Sequence, residues 1–169
     1  MAWCSGFFDY DNDGERCLFV ANGHTYPQAD RPALAASYEE RNQVYENGGG
    51  VFAEGTAGGG PGLALLGVSR GASFADYDGD GDLDIFVLEL NARARLLRHD
   101  GDRRDNWLLV DTVGMASNRD GIGTRIALSA GGAWHWAEVR GGGGHLGREA
   151  RRGARRLGAG GRSRGLRPG

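Results

Sequence analysis

FADYDGDGDLDIFV, residues 74–87, places five acidic residues within nine positions, between an aromatic approach and a β-branched, aromatic exit. Asp76, Asp78 and Asp80 stand at positions 1, 3 and 5 of a loop, the spacing at which a tightly wrapped chain points its carboxylates at one centre. Calcium, a hard cation that takes about six to eight oxygens, suits such a set. Gly81 at position 6 permits the sharp turn, the carbonyl of Asp82 offers a further oxygen, and Asp84 at position 9 closes the shell. Without a cation these carboxylates repel one another. A solvated acidic turn is the alternative.

An EF-hand is excluded by the residues that follow. That loop requires a bidentate Glu at position 12 and then a helix. Position 12 here is Val87, and DIFVLEL at 84–90 has the composition of a strand. The expectation is therefore a calcium loop inside a β-hairpin.

The unit repeats. GFFDYDNDGERCLFVAN at 6–22 realigns with ASFADYDGDGDLDIFVLEL at 72–90 at an offset of 67 residues. In the first copy Asp9, Asp11 and Asp13 keep positions 1, 3 and 5, and the Glu15 carbonyl takes the place of the Asp82 carbonyl. Position 9 is Cys17, a soft ligand poorly matched to calcium, and Arg16 places a positive charge beside it. A weaker site, one completed by water, or a turn retained without metal are the readings left open. Both copies lead to a strand closing on a polar turn, NQVYENGGG at 42–50 and ARLLRHDGD at 94–102, so each unit reads as a propeller blade of short strands. The stretch at 29–43 has weak helical periodicity and reads as an insertion between strands. From Asn106 the pattern changes to NWLLVDTVG, TRIALSAGG and AWHWAEVRGG, three further strands separated by SNRDGIG and Gly pairs. A boundary is expected near 103–106.

Composition agrees with a turn-rich β protein: Gly is 32 of 169 residues and Pro only 4, too few for a Pro-rich linker. The net charge of −2 hides an asymmetry, with 11 Arg and 21 acidic residues in 1–139 against 9 Arg and one Glu in 140–169. Every basic residue is Arg, which reads as GC-rich coding. Cys4 and Cys17 are not expected to pair, because across a hairpin residue 4 sits several residues from the partner of residue 17. No apolar run is long enough for a membrane helix and no signal peptide precedes the first motif. The four His lack metal-ligand spacing. Trp134 and Trp136 share one strand face, as a core or partner-facing pair rather than a sugar platform. GGGPG at 58–62 lacks the Lys and Ser/Thr of a phosphate loop, and no nucleophile elbow is present.

FFDYDNDG and FADYDGDGDLDIFV resemble the FG-GAP/VCBS repeats of integrin-type β-propellers. NWLLVDTVGMASNRDGIGTRIALSAGG resembles the ASPIC/UnbV domain that follows such repeats in the cartilage acidic protein family, and ANGHTYP at 21–27 resembles a segment between those repeats. The resemblance covers roughly 5–145. It implies a calcium-stabilised propeller portion and a small C-terminal β domain, secreted or at the cell surface (extracellular or periplasmic), with no catalytic role. After Gly144 the sequence departs from that pattern into HLGREARRGARRLGAGGRSRGLRPG.

The expectation is an all-β chain: a partial propeller of about two blades over 1–104, a small β domain over 105–145, and an Arg/Gly-rich tail over 146–169, disordered or frameshifted. As two blades do not close a propeller, a longer parent protein is expected. Its function would be calcium-dependent interaction with a protein or cell-surface ligand, with Asp76, Asp78, Asp80, Asp82 and Asp84 holding the main site and Asp9, Asp11, Asp13 and Glu15 the lesser. The rivals are a propeller enzyme or carbohydrate-binding protein whose site lies in other blades, and nucleic-acid binding by the tail. The last is disfavoured because the tail has no interleaved aromatics for base stacking.

Overall fold

The computed structural model describes residues 1–10, 13, 15–30, 37–100, 107–116, 118–130, 133–142, 153–156 and 166–168. The expected boundary at 103–106 lies outside them. The described chain is all-β apart from short 3-10 turns at Pro27–Asp30, Thr56–Gly58 and Pro61–Ala64.

The first acidic repeat builds a hairpin of β1 (Ala2–Phe8) and β2 (Cys17–Asn22), with Phe8 opposite Cys17. β3 (Glu40–Arg41) is a two-residue strand, and β4 (Gln43–Gly48) returns beside β2. Gly49 and Gly50, both with φ above +60°, then turn the chain into β5 (Val51–Glu54). The result is a four-stranded antiparallel sheet of order β1-β2-β4-β5. β6 (Leu66–Gly67) pairs with β3. The second repeat forms β7 (Ser69–Ala75) and β8 (Asp84–Glu89), joined by β9 (Arg95–His99).

Beyond residue 106 come β10 (Trp107–Val110), β11 (Arg125–Ala130), β12 (Ala133–Glu138), β13 (Gly153–Arg156) and β14 (Leu166–Pro168). β11 and β12 form a hairpin, and β13 pairs with β10. β14 pairs with β9 and gives the second sheet its fourth strand, order β14-β9-β8-β7. Residues 153–156 and 166–168 thus form strands where a disordered or frameshifted tail was expected; the remainder of 146–169 lies outside the described residues. Composition judges side chains. An open sheet edge offers unpaired backbone N–H and C=O groups that any extended segment can satisfy, and Pro168 is tolerated at such an edge.

The two four-stranded sheets stack face to face over one core. Strand alternation turns Phe8, Cys17, Phe19 and Val44 inward from the first sheet, and Phe74, Ile85, Val87 and Leu97 inward from the second. Phe74 stacks on Phe8 with centroids 5.2 Å apart and meets Phe19 edge-on at 6.0 Å. Gly6 makes this approach possible, because a Cβ there would overlap the Phe74 ring. Cys4 and Cys17 are both buried and do not form a disulfide with each other, as their register requires. Leu63, delivered by the GGGPG segment, also enters the core.

The repeats use opposite faces. At the 67-residue offset, inward Phe19 corresponds to Phe86, which is exposed, and inward Ile85 and Val87 correspond to half-buried Leu18 and Val20. The front of one sheet packs on the back of the next, the arrangement of neighbouring propeller blades.

Candidate metal centre

The loop between β7 and β8 is organised by Asp76. Its carboxylate accepts the backbone N–H groups of Gly79 at 2.8 Å and Asp80 at 3.1 Å through Oδ1, and of Gly81 at 3.1 Å through Oδ2. Three donors on one carboxylate wrap the chain around it. Gly79 and Gly81 have φ of 76° and 92°, values that side chains other than glycine strain to adopt. Asp80 Oδ1 in turn accepts the N–H of Asp82 at 3.0 Å.

Asp84 begins β8 and is 1% exposed. Its Oδ2 accepts the N–H of Tyr77 at 2.7 Å and its Oδ1 that of His99 at 2.9 Å, so one carboxylate ties the loop to β9. Burial, with the charges of Asp78 and Asp80, pushes the Asp84 carboxyl up to about 6 even though both N–H donors pull it down. Desolvation followed by Asp80 and Asp76 raises Asp78 as well, while the cation of Arg98 acts the other way. Arg98 itself lies 2.8 Å from Asp100.

Carboxylate oxygens of Asp76, Asp78 and Asp84 lie within 4.8 Å of one another. They are hard donors held partly by backbone bonds, with the charges of Asp78 and Asp84 disfavoured by burial and by neighbouring carboxylates. That is the donor set and electrostatics a divalent hard cation would relieve. Of the five residues expected at this site, the structure gathers these three. Asp80 is engaged with the turn, and Asp82 is fully buried.

The first loop differs. Asp11 lies outside the described residues. Asp13 Oδ1 accepts the N–H of Glu15 at 2.8 Å, and Glu15 Oε2 accepts that of Gly49 at 2.8 Å, so the Glu15 side chain ties the loop to the β4–β5 turn. Cys17 points into the apolar core, where Asp84 in the second repeat binds backbone. Among the described residues no carboxylate cluster forms at this loop. Tyr10, between Asp9 and Asp11, is fully buried, stacked on His99 at 5.4 Å and edge-on to Phe8 at 5.9 Å.

His99, which the sequence excluded only as a metal ligand by spacing, is completely buried beside the second loop. In the shared features at 42–50 and 94–102 His99 aligns with Asn47, whose Nδ2 donates to the Arg16 carbonyl at 3.2 Å. Each repeat thus uses this position to fasten its loop. The ANGHTYP segment is also structural. The Asn22 side chain donates to the Arg41 carbonyl and to Gln43 Oε1, and Arg70 sits over the Trp3 ring at 4.4 Å while donating to the His24 carbonyl.

Within SNRDGIG, residues 118–123 form a turn in which the Asn118 side chain both accepts the Ile122 N–H at 2.8 Å and donates to its carbonyl at 3.0 Å. Trp134 and Trp136 stack at 6.1 Å and are mostly exposed, which removes the core reading of the pair. No helix among the described residues is long and apolar enough to cross a membrane.

The profile of the FG-GAP-like repeat matches residues 9–87. That of the ASPIC and UnbV domain matches residues 114–160, reaching past the expected end of the C-terminal domain at 145. No curated protein matches the chain.

Proposed function

From a chain that carries an FG-GAP-like repeat followed by an ASPIC and UnbV domain, we propose a calcium-stabilised β-propeller module of the extracellular space, acting by binding a protein or cell-surface ligand rather than by catalysis. The observation that carries the calcium assignment is the convergence of Asp76, Asp78 and Asp84 within 4.8 Å, in a loop already wrapped by backbone bonds to Asp76. In this reading Asp76, Asp78 and Asp84 supply carboxylate oxygens, with Asp80 and the Asp82 carbonyl as further donors. The cation offsets the burial and mutual repulsion that disfavour the charges of Asp78 and Asp84, and so fastens β7, β8 and β9 together. The loop at Asp9 is the lesser site, with Asp9, Asp11, Asp13 and the Glu15 carbonyl as its donors.

The calcium is structural in this proposal: it binds the folded loop and adds its binding free energy to folding. Calorimetric titration of the chain with calcium tests it, in parallel with Asp78→Ala and Asp13→Ala. One dominant saturable site that vanishes in Asp78→Ala and survives in Asp13→Ala is the expected result. No binding heat in the wild-type chain, or binding untouched by Asp78→Ala, overturns the assignment.

A further inference from the structure

We propose that the open face of the β11–β12 hairpin binds an acidic polysaccharide, with sugar rings lying against Trp134 and Trp136 and anionic groups meeting Arg125 and Arg140. The inference rests on the reading of the chain as a binding module and names its ligand class. It uses none of the residues of the candidate metal centre.

The register of the hairpin sets this face. Arg125 stands opposite Glu138, Ala127 opposite Trp136 and Ser129 opposite Trp134, and directly opposed residues of an antiparallel pair share a face. Ile126, Leu128, His135 and Ala137 take the other face, where with Leu108 and Val110 they line a small apolar pocket. Trp136 borders that pocket too and is still 63% exposed, while Trp134 is 65% exposed. The apolar side of the hairpin is thus already packed, and the two indoles stand on the side left open. Their centroids are 6.1 Å apart, with planes 29° from parallel.

What surrounds the rings selects the occupant. A face that packs on another sheet carries apolar side chains on neighbouring strands, as Phe8, Phe19 and Val44 do in the first sheet. Here the apolar bulk is confined to β12, its partners Ala127 and Ser129 are small, and the face ends in charge. A sugar ring offers polarised C–H groups to the electron-rich face of an indole and hydroxyls at its rim, so aromatic rings set among Ser, Arg and Glu suit it. The charges then favour an acidic sugar over a neutral one. Arg125 is exposed and forms no ion pair among the described residues. Arg140, just beyond β12, lies 3.4 Å from Glu138 and offsets that carboxylate. Two guanidinium groups against one carboxylate leave the face positive, and residues 140–169, with nine Arg and one Glu, carry the same sign. Guanidinium forks bind the oxygens of planar and tetrahedral anions in pairs.

Calorimetric titration of the full chain with dextran sulfate, with unmodified dextran and with linear polyphosphate tests this, since the last two carry the sugar without the charge and the charge without the sugar. Dextran sulfate is expected to bind saturably and roughly tenfold or more tighter than either control. Trp134→Ala and Trp136→Ala are each expected to weaken it by roughly tenfold, and Arg125→Gln to weaken dextran sulfate while leaving dextran unchanged. A cooperative melt establishes that each variant folds, and Ala127→Glu, which sets a carboxylate on the same face, replaces any that does not. No saturable binding of dextran sulfate overturns the proposal. So does polyphosphate binding as tightly with the tryptophan variants without effect, which would leave charge alone. A mass that rises with concentration in sedimentation equilibrium, reversed by Trp134→Ala and not by dextran sulfate, would assign the face to a second copy and also overturn it. A chain that takes up calcium but not dextran sulfate loses this inference and keeps the calcium assignment, whereas saccharide binding that persists in chelator keeps the inference if that assignment fails.

Discussion

Asp84 shows how one residue serves both fold and site. Its carboxylate is buried, bonded to two backbone N–H groups, and beside Asp78 and Asp80. With its folded pKa raised from 3.8 to about 6, the metal-free folded chain binds a proton more tightly than the unfolded chain. The stability linked to that proton is fully present below about pH 4 and is lost as pH rises through about 6, with an upper bound of about 3 kcal/mol. Thermal melts in chelator should therefore show Asp84 lowering stability across this window. The fall should shrink in Asp84→Asn and when calcium is added, and a calcium-free profile unchanged by Asp84→Asn would refute it. Gly6 carries a different constraint. Gly6→Ala presses a methyl into the Phe74 ring and is expected to cost about 1–3 kcal/mol in urea unfolding. Asp80 at position 5 turns to the backbone of the loop, but the convergence of positions 1, 3 and 9 was legible because loop geometry is local. The burial of His99 was not, because it depends on Tyr10 arriving from the other sheet.

At the scale of elements, the strands β1, β2, β7 and β8 were readable from alternation, and the polar turns after β4 and β9 from their Gly, Asn and Asp. What alternation leaves open is which face turns inward. Phe7 and Phe8 are equal candidates in sequence, and only the neighbouring Phe74 selects Phe8. β13 and β14 were hidden for a related reason, since their backbones pair with the edges of β10 and β9, a pairing that sequence composition does not signal. The two loop tyrosines turn the difference between sheets into an expectation. Tyr10→Ala empties a filled contact among Phe8, His99 and the core and should destabilise by about 3 kcal/mol in denaturant unfolding. Tyr77→Ala, at the same place in the second repeat but exposed, should change monomer stability by less than about 0.5 kcal/mol. Equal losses at both positions would show that the contact between sheets is not what buries Tyr10.

For the whole molecule, the two sheets share one core while the candidate Asp76–Asp78–Asp84 metal centre belongs to the second sheet. Phe8, Phe19 and Phe74 join the sheets, so loosening β7–β8 must also expose the first sheet. Calcium at about a hundred times its dissociation constant would add about 2.7 kcal/mol to folding. For a chain of this length that corresponds to a rise of roughly 5–10 °C in Tm. Chelation should remove that increment as a shift of the whole sheet transition rather than as a separate early step, and Asp78→Ala should melt at the chelated temperature with or without calcium. Hydrogen exchange then separates local from shared effects. Amides of Tyr77 and His99, which donate to Asp84, should lose protection first on chelation. Those of the β11–β12 hairpin, which carries none of the carboxylates in the cluster, should change least. Loss of protection in β11–β12 equal to that at Tyr77 would place the stabilising role of the metal outside the second sheet and break the link between the Asp76–Asp78–Asp84 cluster and the stability of the fold.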